Sequence, residues 1–335
     1  MKNNLLLIGL VVLALFVTGC SEQQPTGHQF DPFVGGNKGV QVEFIEGMPP
    51  TQEGAILDAG KTPFSIGVKL TNIGEHNIVE GDYLELQLKG ILAEQFDLTS
   101  SDMVLFLDSP LPGAKKNIDG TVLPGQFTTL SFNNLRYLPD SRGDLPKTFQ
   151  VELCYDYSTS STTPICLAGD TTSAITNADS QKICQITGSR DTKNSGGPVQ
   201  VTDFKQMPQG EDKISIVFTV SQLDSMGKIF KEGSINGCDL SITNTEKNVV
   251  HLTLALPTES NAQISCPGVS QGFGTVAEGD IILYEGNPRT VTCTVEGNAP
   301  ADVIYEDLLS IDMDYRFGQT DQMSIVIKDL GTSSS

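Results

Sequence analysis

Cysteine and histidine carry most of the chemistry that this 335-residue sequence offers, and there are seven of the first and three of the second. Cys20 stands where an apolar run turns abruptly polar, in "LFVTGCSEQQPTG". Cys154, Cys166, Cys184, Cys238, Cys266 and Cys293 follow, and an even set in an exported chain reads as disulfides. A catalytic nucleophile needs a base to activate it and a third group to orient that base. His28 falls in a polar, proline-bearing stretch, His76 in a turn and His251 on the polar phase of a strand. None of them neighbours a GxSxG, HExxH or Cys-His signature, and no glycine-rich phosphate loop is present. The expectation is therefore a protein that is not an enzyme and takes no cofactor. Without a CxxC pair, zinc is not expected either. Asp312 and Asp314 in "IDMDY", and Asp108 and Asp119 in "LDSPLPGAKKNIDG", are the oxygen donors calcium takes, but their spacing is that of no dedicated loop and they read as solvated carboxylates.

The N-terminus has Lys2 as its early charge, an apolar run from Leu5 to Val17, and then Thr18 and Gly19 before Cys20. That order is a secretory signal. As a helix the run would reach only about 20 Å, against the roughly 30 Å of a bilayer core. "VTGC" resembles the lipobox of bacterial and archaeal lipoproteins. The resemblance implies that residues 1–19 are removed, that a diacylglyceryl group alkylates the Cys20 sulfur, and that the chain sits on the extracytoplasmic face of the cell membrane. Two acyl chains suffice for stable anchoring. An ordinary signal peptide with an incidental cysteine is the alternative.

The chain holds 21 basic and 41 acidic side chains, a net charge of −20. Such a surface repels nucleic acid and anionic headgroups, which excludes DNA and RNA as partners. The charge is dispersed, without a block of like residues, and reads as a soluble coat.

Residues 20–38 are polar, with proline and glycine and no sustained period, and read as a tether. Strands follow. Phe64, Ile66, Val68 and Leu70 share one face, as do Leu84, Leu86 and Leu88, and then Phe149, Val151, Leu153, Tyr155 and Tyr157. Later come Ile214, Ile216, Phe218 and Val220, then Leu252, Leu254 and Leu256, then Leu309, Ile311, Met313, Tyr315 and Phe317. No long stretch has helical periodicity, so the class is all-β. Three pairs of segments also match in one order: "VQVEFIEGMP" with "VQVTDFKQMP", "LPGQFTTLSF" with "YEGNPRTVTC", and "VELCYDYSTSSTTPICL" with "IDMDYRFGQTDQMSIVI". Their offsets are all about 160 residues, the length of a domain and too long for a solenoid repeat. The expected organisation is a sandwich over 39–175, a linker over 176–197, a second sandwich over 198–330 and a frayed tail at 331–335.

"VKLTNIGEHNIVEGDYLELQL" resembles the Ig-like, CARDB-type modules of bacterial and archaeal surface proteins, and a lipobox before two such units is similar to archaeal surface lipoproteins. The resemblance implies tandem immunoglobulin-like β-sandwiches and brings no catalytic residues. Six cysteines allow 15 pairings and spacing leaves the connectivity open, but strand phase places Cys154 and Cys166 outward on one supposed hairpin, which favours a bond between them, while Cys293 and Cys266 face inward and favour a second. Cys184 with Cys238 is then left. "DSRGDLP" sets Arg142, Gly143 and Asp144 between prolines as an exposed loop tip, a candidate binding loop whose tripeptide some adhesion ligands use. The function expected is a non-enzymatic binding, adhesion or structural role in the cell envelope, with the membrane reached through Cys20 and a protein or surface polymer as partner. The alternatives are a subunit of an envelope assembly and an enzyme or accessory protein that delivers a substrate.

Overall fold

Period-two alternation sends every second side chain to the same side, and the strands it predicts are present in the computed structural model. The structure describes residues 31–51, 55–57, 61–139, 143–241, 243–257, 261–270, 274–297 and 299–328. In the first half these form β1 (Val40–Phe44), β2 (Ala55–Leu57), β3 (Phe64–Asn72), β4 (Leu84–Lys89), β5 (Val104–Phe106), β6 (Lys115–Lys116), β7 (Val122–Leu123), β8 (Phe127–Leu135) and β9 (Leu145–Ala168). Two short helices follow, α1 (Thr171–Thr176) and α2 (Ala178–Ile183). The second half holds β10 (Gly188–Ser189), β11 (Lys193–Asn194), β12 (Val199–Pro208), β13 (Lys213–Gln222), β14 (Gly227–Phe230) and β15 (Val249–Ala255). It ends with β16 (Gln263–Ser265), β17 (Val276–Ile282), β18 (Arg289–Glu296) and β19 (Ile304–Lys328).

The two halves repeat one pairing scheme. β1–β3–β8 recurs as β12–β13–β18, and β5–β4–β9 recurs as β17–β15–β19. Each half thus builds a small sheet of its own and contributes to a larger one. The larger sheet runs β17–β15–β19–β9–β4–β5 and is common to both halves. β9 and β19 join it by an antiparallel ladder from Leu145 opposite Ile327 to Ala168 opposite Ile304. Within this ladder Asp156 faces Arg316, two residues equivalent under the 160-residue offset.

The core lies on one face of the shared sheet. Odd-numbered residues of β9 from Phe149 to Leu167, and Leu309 to Phe317 of β19, are buried under the two smaller sheets. Phe64 of β3 meets Phe149 edge to face at 6.3 Å, and the Val40 N–H of β1 donates to Tyr155 Oη at 3.0 Å. Gln206 of β12 reaches the open edge of β9, accepting from Cys166 N–H and donating to its carbonyl. Where the halves meet, Tyr155, Tyr157, Tyr315 and Phe317 form one aromatic cluster. Gly74 packs against it, because a Cβ there would lie 2.0 Å from Tyr157 Oη.

Several expectations change. "STSSTTP" does not turn: residues 151–167 lie in one continuous strand, so Cys154 and Cys166 are about 40 Å apart at roughly 3.4 Å per residue and cannot bond. The observed disulfides are Cys154–Cys238, Cys166–Cys184 and Cys266–Cys293. Only the last pairing matches the sequence reading. The 176–197 segment is no loose linker, since α2 ends in Cys184, β10 pairs with β12, and β11 pairs with β9. The sandwiches are likewise not independent, since they share β9, β19 and one continuous core. Residues 32–38, assigned to the tether, pack on the body: Val34 and Gly35 N–H groups both donate to the Glu75 carboxylate at 2.9 Å. Composition does not show such backbone bonds in advance. Residues 1–30 and the 331–335 tail lie outside the described residues.

Candidate functional site

Even-numbered residues of β9 point away from the core, which brings Asp156, Ser158 and Ser160 into one row. The facing positions on β19 are Arg316, Asp314 and Asp312. Ser160 Oγ donates to Asp312 Oδ1 at 2.6 Å, and its N–H donates to Ser195 Oγ at 2.9 Å. Beside the row β9 lacks a strand neighbour between β4 and β11, and the segment after β3 fills the gap. Glu75 is fixed there by three backbone N–H groups, those of Val34, Gly35 and Gly196, the last at 2.6 Å. His76 follows, its N–H on Tyr157 Oη and its ring 5.1 Å from the tyrosine ring. Lys116 Nζ closes the rim by donating to the Phe33 carbonyl at 3.0 Å.

These side chains enclose an open cleft of about 400 Å³ lined by serine hydroxyls, His76, Asn77 and the two lysines of β6. Its size falls in the range of small-ligand sites. Burial lowers the His76 pKa below its usual 6.5, while Asp82, Asp314 and Asp156 pull it back up. The imidazole is therefore neutral near pH 7. Ser160 Oγ is held by Asp312 and Ser195 Oγ by the Ser160 amide, so these two hydroxyls are fixed in place at the cleft wall.

Next along the row lies a buried ion pair. Arg316, 3% exposed, makes a fork to Asp156 with Nε at 2.7 Å and Nη2 at 2.9 Å. Its Nη1 donates to the Ser234 carbonyl at 2.6 Å, and the Tyr83 ring lies 3.7 Å from its guanidinium carbon. The Cys154–Cys238 bond fastens the segment after β14 over this pair. Gly318 makes room for it, since a Cβ there would sit 2.8 Å from the Cys238 sulfur. Nearby, burial together with Asp314 and Asp156 raises the pKa of Glu232.

The residues singled out from sequence are mostly not brought together. Cys20, His28 and Arg142 lie outside the described residues. Gly143 has φ +111°, and Asp144 Oδ2 lies 3.8 Å from Lys328 Nζ, at the far end of the long ladder from the cleft serines. His251 Nδ1 pairs with Asp280 Oδ1 at 2.8 Å on the second half. Asp119 Oδ1 accepts from Thr121 N–H within its own turn. Among the described residues no group of three or more His, Cys, Asp or Glu side chains is placed to hold a metal ion. Sequence reasoning missed Glu75, Lys115, Lys116 and the three serines. The hydroxyl run at strand phase in "STSSTTP" is the signal that would have found two of them.

The chain is thus a disulfide-stapled, all-β protein of two sandwiches with a sheet in common. No known family matches it, and no curated protein matches it either. Among solved structures, the secreted serine protease VesC from Vibrio cholerae is 6% identical at a TM-score of 0.16, over 85% of this chain and 51% of that one. The chain spans about half the length of that protease. A serine-rich repeat protein from Streptococcus agalactiae is 9% identical at a TM-score of 0.14, with 88% and 95% covered. The B domain of a biofilm-associated protein is 7% identical at 0.15, with 86% and 75% covered. Scores this low carry no inference about fold or activity.

Proposed function

We propose that the chain is an exported, membrane-tethered protein of the cell envelope with a non-enzymatic role, presenting a rigid body to a protein or surface polymer. The observation that carries this reading is the weld between the sandwiches. Two 24-residue runs in one ladder, with a disulfide at each of two sites on β9, leave little hinge between the halves. Such a body transmits position and load, which a brace or binding platform needs. Three disulfides fit an oxidising compartment, in keeping with the signal and Cys20. The polar cleft supplies a place where a partner's hydroxyl or charged groups are held.

Proximity labelling on intact cells, with the neighbours identified by mass spectrometry, tests the reading. Envelope components are expected, and Cys20→Ser is expected to release the protein from the membrane fraction. A neighbour list dominated by cytosolic proteins overturns it.

A further inference from the structure

The β6–β7 hairpin is a two-stranded ribbon that stands apart from both sandwiches. Lys115 faces Leu123 and Lys116 faces Val122, with a tight turn between them closed by the Gly120 N–H on the Asn117 carbonyl. A surface turn ordinarily carries polar side chains, yet this one presents Ile118 at 95% exposure, followed by Val122 at 47% and Leu123 at 50%. Four residues further, Phe127 is 64% exposed, with Lys69 Nζ 5.0 Å from its ring centroid. Apolar side chains scattered singly over a surface need no explanation, but several on one projecting ribbon mark an interaction site.

The short spacing between Cys20 and the body tells what covers it. Lys116 of the hairpin holds the Phe33 carbonyl, so the body's first residues run beside this ribbon. From Cys20 to Pro32 are twelve residues, which extend at most about 40 Å at ~3.5 Å each. A lipid on Cys20 therefore keeps the hairpin side of the body within reach of the bilayer. Charge favours the same orientation. The chain as a whole, at −20, is repelled by anionic headgroups, whereas the ribbon and its surroundings carry Lys69, Lys115 and Lys116. The one carboxylate of the turn, Asp119, is turned onto its own backbone at Thr121 N–H.

We propose that the β6–β7 hairpin is a membrane-contact element that seats its apolar tip in the bilayer interface beside the lipid and so sets the orientation of the body on the membrane. The proposal rests on the anchored reading of Cys20. It resembles the way interfacial segments combine an apolar face with lysines, entering about 5–10 Å while the basic groups stay at headgroup level.

The chain contains no tryptophan, which makes a single indole a clean reporter. Full-length lipidated protein bearing Ile118→Trp is reconstituted on phospholipid vesicles with brominated acyl chains. Ile235→Trp, at a position 94% exposed in the second half, is the comparison. The expected result is blue-shifted emission and about a twofold loss of intensity at position 118, with water-like emission at position 235. Quenching at neither position, or equally at both, overturns the hairpin contact. Intact mass and vesicle flotation report the lipid separately. A chain without lipid on Cys20 overturns the anchor and this proposal together, whereas lipid without quenching at position 118 overturns the hairpin alone.

Discussion

Arg316 is held on three sides, by the Asp156 carboxylate, the Ser234 carbonyl and the Tyr83 ring, and water reaches little of it. A buried charge that loses its partner keeps the desolvation cost without the attraction. Asp156→Ala is accordingly expected to lower unfolding stability by about 3–5 kcal/mol in urea titrations. The double variant Asp156→Leu with Arg316→Met, which removes both charges, is expected to recover most of that loss, so a coupling near zero would show that the pair is not a unit. His76 gives a pH signature. Its folded pKa lies below the unfolded 6.5, so the unfolded chain binds the extra proton as pH falls through that value. Stability from this group is full above about pH 6.5 and declines below it, until the folded imidazole also protonates. Glu232, with its pKa raised, works in the opposite sense at lower pH, so the comparison is between wild type and His76→Gln. The variant is expected to show a flatter decline between about pH 6.5 and 5 in thermal melts.

Among the elements, the segment after β14 depends most on a covalent tie. Beyond Phe230 the described residues form no strand until β15, and the segment is tied to the shared sheet by the Cys154–Cys238 bond, the Arg316 contact and the Lys231–Asp280 ion pair. Replacing both cysteines by serine is expected to cost about 2–4 kcal/mol and to make residues 231–248 the first site of limited proteolysis. Cleavage elsewhere first would mean that packing alone holds the segment. The elements themselves were legible where apolar residues alternate without interruption, as in β3, β4 and β13. Legibility failed inside β9, where the inward phase passes from Tyr157 to Thr159, Ser161 and Thr163. Those hydroxyls are buried yet satisfied, Thr159 by Tyr315, Ser161 by Asn194 and Thr163 by Thr192, and a run of serine and threonine otherwise reads as a turn. That misreading also set the cysteine pairing wrong, because it folded Cys166 back onto Cys154. The cleft was invisible for another reason: Glu75, Lys116, Ser158 and Ser195 come from four separate segments, and no local pattern joins them.

At the scale of the molecule, a common sheet and a continuous core mean that neither half can lose its structure alone. Heat is expected to unfold the protein in one transition, with calorimetric and van't Hoff enthalpies equal. Leu86→Ala in the first half and Ile216→Ala in the second, both fully buried, are expected to shift that same transition downward. Two separated transitions, each moved by only one substitution, would show that the halves fold independently. The ladder between the halves also bears on how the chain arose. A duplicated unit whose last strand pairs with its own copy across a two-fold axis is the geometry of an isologous homodimer, and the axis here passes between Asp156 and Arg316. In a dimer of identical chains that position would set aspartate against aspartate or arginine against arginine. Opposite charges at the centre require two copies that differ in sequence, which the halves of one chain can do and two identical chains cannot, so the two-fold of this fold is broken by charge at its own axis.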